Sequence, residues 1–166
     1  MISTTAIAVW CSLTGYWDAR HRRIPNLLTL PAALAGLAYA VVTQTAALGE
    51  LPWGAVAAGA AIALVLTLPG FALGKLGGGD VKLLLAIGLL GGHPAVLSSF
   101  VVAAFTVTGL FLALILATRL APWPGLPGPL RCSLQRLPGP REARLPFGVG
   151  LCAGLLGYIV WLTWLQ

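Results

Sequence analysis

Two stretches decide what this chain can fold into. From Pro52 to Leu73, and again from Ala95 to Ala117, there is no charged residue. Each matches the run of about 20 apolar residues with which a helix crosses a bilayer. Lipid offers the backbone no water to bond, so such a segment must satisfy its N–H and C=O groups internally, as a helix. Similar segments run over Ile2–Trp17, Leu27–Thr43 and Pro146–Leu165, with a shorter one over Asp80–Leu90. Only 8% of the residues are charged, against about 25% in a soluble domain. The expected fold is all-α: a polytopic membrane bundle of six transmembrane helices in one domain, residues 1–166. Small residues at Ala55, Gly59 and Ala63, and at Gly150, Gly154 and Gly157, provide faces for close helix packing.

The basic residues set the expected orientation. Arg20, Arg22 and Arg23 follow the first span, and Lys75 and Lys82 border the turn after the third. Arg119, Arg131, Arg136, Arg141 and Arg144 lie in a long loop, 118–145, rich in proline and glycine and expected to be irregular. The other loops and both ends carry none. Cytoplasmic loops are enriched in Lys and Arg, so these three loops are expected inside and both termini outside. The net charge of +6 is then a topology signal. It predicts membrane lipid as a partner and no nucleic acid. No basic residue precedes the first span, which is the wrong order for a cleaved secretory signal.

With that topology the chain's two aspartates, Asp18 and Asp80, share one side, each at a cytoplasmic helix end. A carboxylate beside a lipid-soluble segment is costly and points to function. The simpler explanation is capping, since Asp is favoured at a helix start and Asp80 follows the turn Gly77-Gly78-Gly79. The functional one is a pair. Like charges held close cannot both ionise, so one carboxyl stays acid while the other acts as base. Such a pair can activate a water against an amide, with no cofactor or metal. Asp18 lies at a helix C-terminus, where the macrodipole disfavours negative charge, and Asp80 at an N-terminus, where it is favoured. On that ground Asp18 is expected to hold the shared proton. Lys82 either biases Asp80 towards ionisation or snorkels to the interface; the second is preferred.

Other chemistries find no footing. His21 and His93 fall on opposite sides of the expected membrane. Cys11, Cys132 and Cys152 form no C-x-x-C pair, so no zinc spacing exists. Gly70 to Lys75 is one residue short of a phosphate loop, and Leu76 replaces its hydroxyl residue.

Two runs carry a resemblance. Asp18-Ala19-Arg20-His21-Arg22-Arg23-Ile24-Pro25-Asn26 resembles the first signature of type IV prepilin peptidases: an aspartate, basic residues, then Ile-Pro-Asn. Gly77-Gly78-Gly79-Asp80-Val81-Lys82-Leu83-Leu84 resembles their second, the G-x-G-D segment. Leu145-Pro146-Phe147-Gly148 resembles a weaker signature opening the last span. The resemblance implies a G-x-G-D membrane aspartic endopeptidase of the prokaryotic cytoplasmic membrane. It would remove the short basic leader of prepilin-like substrates at the cytoplasmic face, in type IV pilus biogenesis. It implies Asp18 and Asp80 as the catalytic pair, with Gly77 and Gly79 shaping the approach to Asp80. Pro25, Asn26 and Lys82 are its supporting motif residues. Longer relatives carry an extra cytoplasmic domain with paired cysteines that methylates the product; this sequence resembles the short, peptidase-only form, and methylation is not expected of it.

Two readings of other classes stand beside this one. A proton-relay transporter would place its carboxylates near mid-membrane, whereas these fall at helix ends. A non-catalytic pilus-assembly subunit would tolerate loss of either aspartate. A presenilin-type protease also shares G-x-G-D, but here Trp17 separates Tyr16 from Asp18.

Overall fold

The computed structural model describes residues 2–120 and 147–164. Five helices account for almost all of them: α1 (Ile2–His21), α2 (Asn26–Thr43), α3 (Trp53–Ala72), α4 (Gly78–Leu120) and α5 (Phe147–Trp164). Among the described residues the β structure is one isolated pairing, Thr45 with Pro52. Four helices, α2 to α5, are long and apolar enough to cross a membrane. Arg131, Arg136, Arg141 and Arg144, Cys132, and most of the expected loop 118–145 lie outside the described residues.

The all-helical expectation holds. The expected fourth and fifth spans are one element, α4, interrupted only at Gly92, whose φ of 67° and ψ of −167° are non-helical. That region of backbone space is open to glycine and essentially closed to other residues. The gap expected between Leu90 and Ala95 is thus a break at one residue. The chain reverses there. The first limb, 78–91, runs from Asp80 to Gly91, which packs on Leu48 in the α2–α3 link. In the second limb, 93–120, Ser99 lies against Gly154 and Ala103 against Gly150, so it climbs α5 back towards the Gly148 end. α1 is not among the four apolar helices; its hydroxyl residues and charged end, Asp18 to Arg20, lower its apolar content.

α4 is central, packing against α2, α3 and α5, while α1 packs on α5. The core joins Leu83, Leu84, Ile87, Val96, Leu151 and Leu155, all fully buried. Small residues set the closest approaches, as expected for helices that associate in lipid. A Cβ on Gly59 would lie 2.6 Å from the Gly92 carbonyl carbon, and one on Gly88 would lie 2.8 Å from the Gly59 carbonyl carbon. The Ala55, Gly59, Ala63 face is therefore the α3–α4 seam. On α5, Gly150 and Gly154 meet the second limb of α4, but Gly157 faces open space.

That seam gives a direct test. Gly59→Ala forces backbone apart rather than a side-chain tip, and should destabilise the protein by about 1–3 kcal/mol. Gly54→Ala, where a Cβ meets nothing within 4 Å, should be neutral. Equal unfolding midpoints for the two variants in detergent would show the seam to be looser than described.

Candidate active site

The buried face of α1 is the stripe Ile7, Cys11, Thr14 and Asp18. Its spacing keeps these residues on one side of a helix, so the packing of the upper stripe on α5 carries Asp18 inward. Cys11 Sγ donates to the Cys152 carbonyl at 3.3 Å, and Gly15 lies against Cys152. Asp18 itself is only 5% exposed. The first span was expected to end at Trp17, but α1 continues through Asp18 to His21. The helix ends where Arg22 turns left-handed, at φ 51°, with its N–H donating to the Asp18 carbonyl at 2.7 Å.

The Asp18 carboxylate meets the start of α5. The Val149 N–H donates to Asp18 Oδ2 at 3.1 Å, and the Gly148 N–H is directed at the same carboxylate. First-turn N–H groups lack intrahelical partners, so both are free to serve it. A Cβ on Gly148 would lie 2.7 Å from Asp18 Oδ2 and 2.8 Å from Ile24 Cδ1. The Val149 and Gly148 N–H groups and the Arg22 charge all favour the charged form of this carboxylate, whereas its burial disfavours it.

Asp80 sits in the first turn of α4. Its N–H donates to the Gly77 carbonyl at 3.1 Å, and the Gly77 N–H is directed back at its carboxylate. This is the side-chain half of a capping box. The capping explanation is therefore correct for Asp80 in part, two residues inside the helix start at Gly78. It is not sufficient, because the carboxylate also faces a cavity and lies close enough to Asp18 to feel its charge.

That cavity, of about 270 Å³, is lined by Asp18, Arg22, Arg23, Ile24, Gly77, Gly78, Gly79 and Asp80. The two signature segments thus form its two walls, and they interlock. A Cβ on Gly79 would lie 3.2 Å from Ile24 Cβ and 3.4 Å from the Ile24 carbonyl oxygen. Pro25, with φ −69° and ψ 141°, stands at the N-cap of α2, accepting from the Leu28 N–H at 3.0 Å. Asn26 then presents its Oδ1 to Lys82 Nζ at 2.9 Å. Lys82 was expected to snorkel; instead it joins α2 to α4 across 56 residues.

All seven residues singled out from the sequence, Asp18, Pro25, Asn26, Gly77, Gly79, Asp80 and Lys82, fall in or beside this one site. Because the Lys82–Asn26 bond is exposed, a double-mutant cycle with Lys82→Ala and Asn26→Ala should give a stability coupling of about 0.5–1 kcal/mol. A coupling near zero would show that the bond does not tie the walls. Gly148 and Val149 were given no role by sequence reasoning. The signal present was the Phe147-Gly148 step opening an apolar span at the level of the aspartates. Among the described residues no group of three His, Cys, Asp or Glu side chains is placed to hold a metal ion.

A family model described as the type IV leader peptidase family matches residues 5–118. No curated protein matches, and no solved structure does. The matched span contains Asp18, Asp80 and both walls of the cavity, and stops short of α5.

Proposed function

The chain belongs to the type IV leader peptidase family, and from that premise we propose that it is a membrane endopeptidase whose water-activating groups are Asp18 and Asp80. Its substrates are prepilin-like precursors, cut at the cytoplasmic face to release a short basic leader. The observation that carries this reading is the convergence of the chain's two aspartates, from different helices, on one small cavity.

In the proposed reaction one carboxylate takes a proton from a water held between the pair. The water oxygen attacks the scissile carbonyl carbon, and the protonated carboxyl gives its proton to the carbonyl oxygen. The tetrahedral species then collapses. The C–N bond breaks, the nitrogen takes the proton held by the base, a hydroxyl of the tetrahedral carbon returns its proton to the other carboxylate, and the pair is left with one shared proton. No covalent intermediate forms and no cofactor takes part. The cavity suits this chemistry because it is small, carries an aspartate in each wall, and has glycines in one, which leave a peptide backbone room to approach.

The proposed topology has six crossings, with α1 and both limbs of α4 each crossing once. It places the cavity and Arg22, Arg23 and Lys75 inside, and Gln44 and Glu50 outside. Single cysteines at Gln44 or Glu50, exposed in the α2–α3 link, should react with an impermeant thiol reagent added from outside. Cysteines at Arg22 or Lys75 should not. Reaction at Arg22 from outside would overturn the cytoplasmic placement of the site.

A further inference from the structure

Asp18 and Asp80 do not have equal surroundings, and the difference assigns their roles. The Asp80 carboxylate has only the Gly77 N–H of its own helix start directed at it. Asp18 accepts a hydrogen bond from the Val149 N–H in the first turn of α5 at 3.1 Å, with the Gly148 N–H also directed at it, and it faces Arg22. The macrodipole of α1 points its negative end at Asp18, but the free N–H groups of α5 point their positive end at the same carboxylate. The second effect is closer, because it includes direct hydrogen bonds to the charged form.

We propose that the first turn of α5 holds Asp18 as the charged member of the pair, making Asp18 the base that takes the proton from water and Asp80 the acid that supplies one to the carbonyl oxygen. This rests on the two-aspartate reading above and reverses the assignment drawn from the sequence. Gly148 and Val149 are positioning residues that act through Asp18. Gly148 has a specific task. A Cβ there would occupy the space between Asp18 Oδ2 and Ile24 Cδ1, at 2.7 and 2.8 Å, and would push the carboxylate off its donors. The other charged or titratable groups facing Asp18 are Arg22 at the end of α1, Arg23 in the link, Asp80 on α4 and the Cys152 thiol on α5. None of these is altered by changing Gly148.

The test uses the whole chain with Gly148→Ala and Val149→Pro. Proline at position 149 removes the donor, and a first-turn N–H makes no intrahelical bond that its loss would break. Gly157→Ala, on the same helix but facing open space, controls for a change in helix propensity. The expected result for both test variants is a kcat lower by about 10- to 100-fold with KM unchanged. The acidic limb of the pH profile should move upward by about one unit or more, because the lost N–H bonds favoured the charged base. Carboxyl infrared titration in an Asp80→Asn background reads Asp18 without turnover, and protonation there should also move to higher pH with Gly148→Ala. Loss of kcat with an unmoved limb and an unmoved Asp18 titration would reduce Gly148 to a packing residue and overturn the proposal. If Gly148→Ala does not accumulate as folded protein, Val149→Pro decides by the same readouts. Full activity of Asp18→Asn or Asp80→Asn would instead sink the two-aspartate reading, a distinct failure.

Discussion

Asp18→Asn and Asp80→Asn are each expected to lower cleavage on the order of 10⁴-fold, with the protein still inserted and folded. An asparagine keeps the size and hydrogen-bonding reach of the carboxyl but can neither take nor supply the proton. The pair acts as a unit, so loss of one member removes both the acid and the base step, and the double variant should be no worse than either single one. The structure gives reason to expect the fold to survive. Asp80 gives its helix only part of a cap, and the Val149 N–H that bonds Asp18 can donate equally to an amide oxygen. A cleavage assay on purified variants, matched for amount of folded protein, checks this. Activity within tenfold of wild type in either variant would remove that residue from the mechanism.

The second large effect is expected far from the cavity. Gly92→Ala should destabilise the protein by about 2–5 kcal/mol. Gly92 occupies φ 67° and ψ −167°, a conformation that costs a residue with a Cβ about 1–3 kcal/mol. The added Cβ would also lie 3.1 Å from the Ala55 carbonyl oxygen, where the α3–α4 seam cannot yield without backbone movement. Because the reversal at Gly92 returns the second limb of α4 to α5, its loss should loosen the seating of α5 and so reach Asp18 indirectly. Unfolding in detergent followed by circular dichroism reads the change. A midpoint equal to wild type would show that another conformation serves the reversal.

Much of the site was legible in the sequence because charge is so sparse. In a chain with 8% charged residues, two aspartates at segment ends stand out. The expected topology brought both to one side before any distance was known. The interlocking of Ile24 with Gly79, and of Asn26 with Lys82, lay within the two signature runs, although the pairing itself spans 56 residues and could not be read from either. The boundaries were less legible. Helix α1 overran its expected end because nothing from Asp18 to His21 breaks a helix; the stop comes from the left-handed Arg22. The gap expected between Leu90 and Ala95 proved to be a single non-helical glycine, since Gly92 adopts a backbone conformation closed to other residues. Gly157 shares the spacing of Gly150 and Gly154, yet a Cβ there would meet nothing within 4 Å.

The charge state proposed for Asp18 differs from the sequence expectation for a physical reason. Its own helix end disfavours negative charge, and that is the only field the local sequence reports. The donors that offset it come from Val149, 131 residues away, across a contact that exists only once α5 is docked. Electrostatic roles in a small membrane bundle are set by which helix starts meet which helix ends, and this is information about packing rather than about any one segment.

The central claim is that the two aspartates direct a water onto the peptide bond with no covalent stage and no metal. It is tested most directly by single-turnover cleavage of a precursor with a basic leader and an apolar helix, run with a chelator and with hydroxylamine present. The account predicts unchanged cleavage and a leader ending in a plain carboxylate. A leader ending in a hydroxamate would reveal an acyl-enzyme, and loss of cleavage on chelation would reveal a required metal; either result would contradict it.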